Sequence, residues 1–246
     1  MWEQGVAVHS GEPVAHPDVL IIGAGIAGLS LATALGRDGF RVTVIDGASR
    51  PEPPAESRDL DAWDLRVSAL TPASVEFLRS LGAWEAIPTD RTGRYTGMQV
   101  WDAQGSGRIA FSAGEVEAPF LGHIVENRLT LSALLRCAES TAGVEVLWLH
   151  ALNSMALTDQ GWQIHCENGE GFCAPLTVGA DGARSRVRSL TAMPSRQWSY
   201  EQSAIVGTIA LRTSHQDTCW QAFMDTGPLA LLPLADDDKV AMVWSL

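Results

Sequence analysis

The sequence is poor in cysteine and lacks any paired cysteine motif. Its 246 residues include 4 cysteines, and none of them forms a CxxC pair. His165, Cys166 and Cys173 lie close together along the chain, but zinc sites usually combine two short ligand spacings. We therefore expect no metal site, and we expect reduced thiols, as in cytoplasmic proteins.

Basic residues are scarce as well. The chain has 17 Lys and Arg against 29 Asp and Glu, which gives a net charge of −12. A surface of this sign repels phosphate, so we expect no nucleic-acid partner and no broad docking on anionic lipid. Residues 1–16 lack the basic start and apolar run of a signal peptide, and they are predicted to form a loose tail.

One stretch, DVLIIGAGIAGLSLATAL at residues 18–35, carries no charge after Asp18 and resembles a membrane helix only at first sight. A membrane span needs about 20 apolar residues in one helix. Here the β-branched residues of DVLII favour a buried parallel strand, and glycines follow. The remainder predicts a helix that ends near Gly36 or Gly39. The stretch is therefore predicted to be a strand, a glycine turn and a helix.

This order makes the spacing G-x-G-x-x-G of Gly23, Gly25 and Gly28 informative. The first glycine permits a tight turn, the second lets the backbone approach a pyrophosphate, and the third lets the helix pack on the strand. The helix N-terminus then offers N–H groups to the phosphates. The next predicted strand, in FRVTVIDG, ends at Asp46, whose carboxylate can accept a ribose hydroxyl. The pattern predicts dinucleotide binding, with NAD and FAD both open.

A second strand-and-turn motif, LTVGADGARSRVRSL at residues 176–190, resembles the second signature of the class A flavoprotein monooxygenases, the flavin-dependent aromatic hydroxylases. On its own, Asp181-Gly182 would be an ordinary turn pair. In that family the Asp-Gly segment helps to hold the FAD pyrophosphate and serves the NAD(P)H reaction. The resemblance therefore implies that FAD is the cofactor, with Asp181 and Gly182 at its site. The matching positions are Gly179, Ala180, Asp181, Gly182, Ser185 and Arg188.

Two further segments resemble the same family. DLRVSALTPASVEFLRSLGAW resembles a segment in which an arginine, here Arg66, reaches FAD. GHIVENRLTLSALLRCAES resembles the strand and helix of another FAD contact, where many members have Arg or Gln and this chain has Asn127. The phrases DLRVSAL, IVEN, GADGARSRVR, WSYEQSAIV and GPLALLPL resemble the ubiquinone-biosynthesis hydroxylases most closely.

The expected fold is α/β: a Rossmann-like FAD-binding domain at residues 17–92 and 119–192, and a β-sheet-rich substrate domain at residues 93–118 and 193–246. The substrate domain is expected to contain a hairpin with a Gly-Ser-Gly turn, followed by three or more strands after residue 191. The family's third signature, a strand followed by Gly-Asp, has no counterpart before the chain ends. We therefore expect the C-terminal part to be missing, and a weakly active or inactive fragment that binds FAD weakly.

The resemblance implies a monooxygenase that uses FAD, NADH or NADPH, and O₂ to hydroxylate an aromatic ring, as in a polyprenylated phenol or quinol of ubiquinone biosynthesis. It implies a cytoplasmic protein with possible peripheral contact to the inner membrane or a biosynthetic complex. Another flavin oxidoreductase of this fold, an NAD-dependent dehydrogenase and a non-catalytic module stay open. No catalytic residue is predicted. His123, His150 and His165 are expected to be structural or surface residues. Trp220, Phe223 and Trp244 are candidates for the wall of an apolar pocket.

Overall fold

The computed structural model describes residues 16–54, 57 and 59–246; the predicted tail lies outside this part except for its last residue. The described residues fall into two compact units. Unit 1 comprises residues 16–50 and Ala138–Pro194, and unit 2 comprises Pro51–Cys137 and Ser195–Leu246. In chain order the helices and strands are β1 (Val19–Ile22), α1 (Ile26–Arg37), β2 (Val42–Asp46), β3 (Val67–Leu70), α2 (Pro72–Ser80), β4 (Thr92–Tyr95), β5 (Gly97–Asp102), β6 (Arg108–Ser112), β7 (Gly122–Glu126), α3 (Asn127–Ser140), β8 (Val144–Trp148), β9 (Leu152–Thr158), β10 (Gly161–Cys166), β11 (Gly171–Ala174), β12 (Leu176–Gly179), α4 (Arg186–Leu190), β13 (Ala204–Ala210), β14 (Thr218–Met224), β15 (Gly227–Pro233) and β16 (Lys239–Ser245).

Unit 1 is built on a parallel four-stranded sheet in the order β12-β1-β2-β8. Its central strands are rich in Val and Ile and buried except at Asp46, as expected of a sheet covered on both faces. Helix α1 contacts β1, β2 and β8. The antiparallel sheet β11-β10-β9 contributes Leu152, Ile164 and Phe172 to a core shared with Leu20 and Ile45 of the parallel sheet.

Unit 2 contains two sheets. The larger has the order β13-β16-β15-β14-β5-β6 and is antiparallel except where β14 pairs with β5 in parallel. The smaller, antiparallel throughout, has the order β3-β7-β4. Tyr95 and Ile124 of the smaller sheet and Cys219 and Ala241 of the larger sheet belong to one hydrophobic core, together with Trp63.

The structure confirms the predicted α/β class and its main elements. The first strand, the helix after it and the strand ending at Asp46 are present as β1, α1 and β2. The predicted hairpin is β5–β6, and four strands follow residue 191. Helix α2 begins as predicted, because Thr71 caps its N-terminus through Ser74 N and Pro72 stands in its first turn. No helix in the described part of the chain combines the length and apolarity that crossing a membrane requires.

Candidate functional site: the switch point of the parallel sheet

The parallel sheet of unit 1 reverses its direction of growth beside β1. After β1 the chain adds β2 and then β8 on one side, and it returns to the other side of β1 as β12. In open α/β sheets, ligands bind outside the carboxyl ends of the strands at such a switch point. The segments that follow β1 and β12 therefore form the candidate site.

Gly23 is the point where these two segments touch. Its backbone φ of +112° is one that residues other than glycine rarely adopt. A Cβ at this position would also lie 2.4 Å from the Ala180 carbonyl oxygen and 2.9 Å from Asp181 N. Ala180 N in turn donates a hydrogen bond of 2.7 Å to Ile22 O. The two glycine-bearing loops, more than half the chain apart in sequence, thus meet at the end of β1.

Gly25 and Gly28 serve different purposes in the first loop. A Cβ on Gly28 would lie 1.9 Å from the Gly23 carbonyl oxygen, so only glycine lets α1 pack against the loop. Gly25, the N-cap of α1, is exposed, makes no side-chain cap, and would find nothing within 4 Å of an added Cβ. The open space thus lies at the N-terminus of α1, where N–H groups and the helix dipole favour an anion.

Asp46 holds the first loop in place. Its Oδ2 accepts a hydrogen bond of 2.8 Å from Ala24 N, and its Oδ1 accepts one of 2.8 Å from Ala48 N. A carboxylate offers about four acceptor positions, so each oxygen can still accept a hydroxyl donor. The residue predicted to bind a ribose therefore also organises the backbone of the glycine turn.

Asp181 organises the second loop in a similar way. Its Oδ2 accepts hydrogen bonds from Arg186 N at 2.5 Å and Val187 N at 3.1 Å, which caps the short helix α4. Its Oδ1 is buried and has no hydrogen-bond partner within the described residues. Gly182 has a φ of +78° and open space around its Cβ position. Arg188 bends back to the Ala183 carbonyl oxygen at 2.5 Å.

The other two predicted FAD contacts, Arg66 and Asn127, lie together in unit 2. Asn127 N donates a hydrogen bond of 2.9 Å to Arg66 O, and Ser68 Oγ donates one of 2.6 Å to Asn127 Oδ1. This contact follows from the pairing of β3 with β7, which places Val67 opposite Glu126. The side chain of Arg66 is exposed.

A buried ion cluster beside these residues was missed at the sequence level. Glu126 is fully buried and contacts the guanidinium groups of Arg91 and Arg128. The sequence signal for this cluster is the glutamate that ends the strand GHIVE. A carboxylate is almost never fully buried without a partner, so a buried Glu126 predicts a basic residue beside it. Neither arginine is identifiable from spacing alone.

The histidines behave as expected of structural or surface residues. His123 is buried between Trp84 and Phe120, with ring centroids 5.1 and 4.6 Å away, and its Nδ1 has no partner within the described residues. Burial, with smaller effects of Arg94 and Arg79, lowers the pKa of His123. His150 contacts Trp148 O through Nδ1 at 2.7 Å, and His165 is exposed.

The three aromatic residues proposed for a pocket wall do not share one surface. Trp220 and Phe223 are three residues apart on β14, so their side chains point to opposite faces of the sheet. That part of the prediction is wrong, because the alternation along a strand separates them. Trp220 instead meets Trp101 edge-on at 6.4 Å, and both line an open cavity of about 350 Å³ at the β5–β6 hairpin.

Two of the buried cysteines, Cys166 and Cys219, offer no reactive thiolate. Burial raises the pKa of the Cys219 thiol to about 12, and burial, with a smaller effect of Glu170, raises that of Cys166 to about 11. Both therefore stay protonated at neutral pH. Among the described residues, no group of three His, Cys, Asp or Glu side chains could hold a metal ion.

The residues at the switch point fit an FAD-like dinucleotide. The exposed N-terminus of α1 with free space at Gly25 suits a pyrophosphate. The unpartnered Asp181 Oδ1 and the spare acceptor capacity of Asp46 suit hydroxyl groups, which FAD carries on its ribose and ribityl chain. The site thus combines an anion-binding end with hydroxyl acceptors.

The chain is similar in sequence to enzymes of ubiquinone biosynthesis. The chain is 33% identical over 227 residues to 3-demethoxyubiquinol 3-hydroxylase of Escherichia coli strain K12, covering 92% of this chain and 56% of the relative. It is 36% identical over 258 residues to the mitochondrial ubiquinone biosynthesis monooxygenase COQ6 of Xenopus tropicalis, covering 98% of this chain and 54% of the relative. The chain thus spans about half the length of these relatives.

The fold is also that of a solved enzyme. PqsL, a probable FAD-dependent monooxygenase from Pseudomonas aeruginosa, superposes with a TM-score of 0.77 at 24% identity, over 94% of this chain and 60% of that chain. A profile described as "FAD binding domain" matches residues 16–246, nearly the whole chain. The chain therefore belongs to the FAD-binding domain family, with the fold of the FAD-dependent monooxygenases.

Proposed function

We propose that the chain provides the FAD-binding part of a monooxygenase that uses NADH or NADPH and O₂ to hydroxylate an aromatic ring. The proposed substrate is a polyprenylated phenol or quinol intermediate of ubiquinone biosynthesis. The names of the relatives from Escherichia coli and Xenopus tropicalis support this substrate class. The observation that carries the proposal is the meeting of the Gly23 loop with Ala180 and Asp181 at the switch point.

In this proposal the chain binds and orients FAD through its loops. The N-terminus of α1 at Gly25 holds the pyrophosphate, Asp46 accepts the adenosine ribose hydroxyls, and Asp181 with Gly182 forms the second side of the site. Arg66 and Asn127 are proposed as further FAD contacts on the basis of the family resemblance. When bound, FAD supplies the redox chemistry, while the protein provides orientation and excludes water.

Cofactor binding is tested by titrating FAD into the purified chain while following flavin fluorescence and the visible spectrum. We expect saturable binding of one FAD per chain, with a changed spectrum and competition by ADP, which shares the pyrophosphate. NAD⁺ at the same concentrations serves as the control for an ordinary dehydrogenase. Tight NAD⁺ binding without FAD binding would overturn the proposal.

Activity is tested with FAD, O₂, and NADH or NADPH. The substrates are a prenylated phenol and, as a matched comparison, the same phenol without its prenyl chain. We expect slow formation of a product that is one oxygen heavier, and preferential use of the prenylated phenol. Hydroxylation of the small phenol alone would favour a soluble small-phenol hydroxylase. Reductant oxidation without any oxygenated product would favour a reductase of the same fold.

We also propose peripheral contact with a membrane or a biosynthetic complex, because a prenylated substrate resides in lipid. Trp198 and Tyr200 support this proposal: they are 67% and 77% exposed and stack edge-on at 6.2 Å. Trp and Tyr are favoured at membrane–water interfaces. Co-sedimentation with vesicles of zwitterionic lipid tests it, and the charge of −12 predicts weaker binding to anionic vesicles.

A further inference from the structure

The end of β7 carries a carboxylate with an unusually complete set of donors. Glu126 is fully buried. Its Oε1 accepts from Arg91 Nε at 2.8 Å, and its Oε2 accepts from Arg128 Nη2 at 2.7 Å and from Asp64 N at 2.7 Å. One buried negative charge is therefore shared by two guanidinium groups and one backbone N–H.

Arg91 extends this cluster to the segment that precedes β3. It is buried, donates from Nη1 to Ser57 O at 2.7 Å and from Nη2 to Ala62 O at 3.2 Å. Its guanidinium lies 4.2 Å from the centre of the Trp63 ring, within the range of a cation–π contact. Arg128 also donates to Ala62 O. Three backbone groups of one segment, Ser57 O, Ala62 O and Asp64 N, are thus held by this Glu126 clamp.

The segment so held has no strand partner among its described residues. Ser57 and residues 59–61 are exposed, and residues 60–62 form a single 3-10 turn that lies outside both sheets and contacts β13. Trp63 is the one buried side chain among the described residues of the segment. The conformation of the segment therefore depends on the charged hydrogen bonds, on Trp63 and on the contact with β13. The segment leads into Arg66, whose N–H donates to Asp64 Oδ1 at 3.2 Å.

We propose that Glu126 is a positioning residue for the cofactor contacts Arg66 and Asn127. This inference rests on the proposed function, since it takes these two residues as FAD contacts. Glu126 fixes Asp64, two residues before Arg66, through a direct hydrogen bond, and it directly precedes Asn127 at the start of α3. One buried carboxylate thereby sets the position of both contacts.

A purely stabilising role explains the clamp less well. Buried ion triads often contribute no more to the free energy of unfolding than apolar residues of the same volume, because desolvation offsets the attraction. A charged cluster does, however, define one geometry through the fixed fork of each guanidinium. A fixed geometry at Arg66 and Asn127 is what the proposed cofactor contacts require.

The test compares Glu126→Gln with Glu76→Gln, which breaks the exposed ion pair between Arg79 and Glu76 and serves as the matched control. Hydrogen exchange is measured for peptides covering residues 59–66, together with FAD affinity and the visible spectrum of bound flavin. For Glu126→Gln we expect at least about tenfold faster exchange in that segment, about tenfold weaker FAD binding, and an altered flavin spectrum. The control should match the wild type in all three.

Glu126→Gln leaves two guanidinium groups with a neutral partner, so it could fail to fold. Arg128→Gln is the milder variant, because it leaves the pair between Arg91 and Glu126 intact, and Arg128→Lys is its conservative counterpart. We expect Arg128→Gln to weaken FAD binding by about threefold or more, and Arg128→Lys to bind FAD with most of the wild-type affinity. The two variants should have equal melting temperatures.

Failure of this inference and failure of the proposed function can be distinguished. If the wild-type chain binds no FAD, the proposed function fails. Hydrogen exchange still tests the clamp in that case: unchanged exchange at residues 59–66 in the variants would show that Glu126 does not hold this segment. If the wild type binds FAD and the folded variants bind it equally well with an unchanged spectrum, Glu126 is not a positioning residue and the inference is wrong.

Discussion

At the scale of single residues, the three motif glycines differ in what a side chain would meet. Gly25 has open space, whereas Gly28 has the Gly23 carbonyl oxygen 1.9 Å from its Cβ position. A side chain at position 25 would therefore affect the space for a ligand, whereas a side chain at position 28 would affect the packing of α1. Substitutions at the two sites should separate binding from stability.

We predict that Gly25→Ser leaves the melting temperature unchanged or slightly raised, because serine is a preferred N-cap residue. Its side chain would occupy the space proposed for the pyrophosphate, so FAD affinity should fall by about tenfold or more. Gly28→Ala should instead lower the free energy of unfolding by at least about 1–3 kcal/mol through overpacking. Thermal unfolding and FAD titration of both variants test this. Wild-type affinity in Gly25→Ser would exclude the open space as the phosphate site.

The sequence was sufficient to predict local structure that depends on neighbours along the chain. Gly23, Gly25, Gly28 and Asp46 fall within one strand–helix–strand unit, so their spacing predicts the glycine turn and the carboxylate beside it. The Glu126 clamp depends on Arg91, 35 residues away, and on the backbone N–H of Asp64 in the segment before β3. No periodicity encodes such a contact, so it could be found only in the folded chain.

At the scale of elements, β7 is a strand of five buried residues that includes two ionisable side chains, His123 and Glu126. Glu126 is compensated by two arginines, whereas His123 has an unpartnered Nδ1 within the described residues and a lowered pKa. Tyr95 of the neighbouring strand β4 also lies in the apolar core, and burial raises the pKa of its hydroxyl. Of these groups, His123 should therefore give the smaller sheet of unit 2 a response to acid, since a raised tyrosine pKa lies on the alkaline side.

We predict that the chain loses stability as the pH falls below about 6.5, the ordinary pKa of histidine. Below that value the unfolded chain binds a proton on His123 that the folded chain does not bind, so the free energy of unfolding declines. His123→Phe removes this group and should flatten the dependence between about pH 7 and about pH 5. Urea unfolding across this range measures it, with the exposed His165→Gln as control. An unchanged slope in His123→Phe would contradict the assignment.

At the scale of the whole molecule, the two units are interleaved along the chain. The sheet of unit 1 takes β1 and β2 from residues 16–50, and it takes β8 and β12 from Ala138–Pro194. The larger sheet of unit 2 likewise pairs β5 with β14, although the second segment of unit 1 separates these two strands along the chain. Neither unit is a continuous piece of sequence.

We predict that one cut in the exposed turn at residues 105–107 leaves both fragments associated, because the parallel pairs β1–β12 and β2–β8 join them. A protease site placed in that turn allows the cut to be made after folding. The nicked protein should elute as one species on size exclusion and separate only in denaturant. Two species under native conditions would show that these pairings do not hold the fragments together.

The contact between Gly23 and Ala180 also sets an order of events during translation. Bacterial and eukaryotic ribosomes add about 5–20 residues per second, so roughly 10–30 s pass between the emergence of the first loop and that of the second. During this interval β1 has no β12 beside it. During translation β1, whose side chains are all apolar, therefore has an unpaired backbone edge, and a cofactor has no complete site to bind.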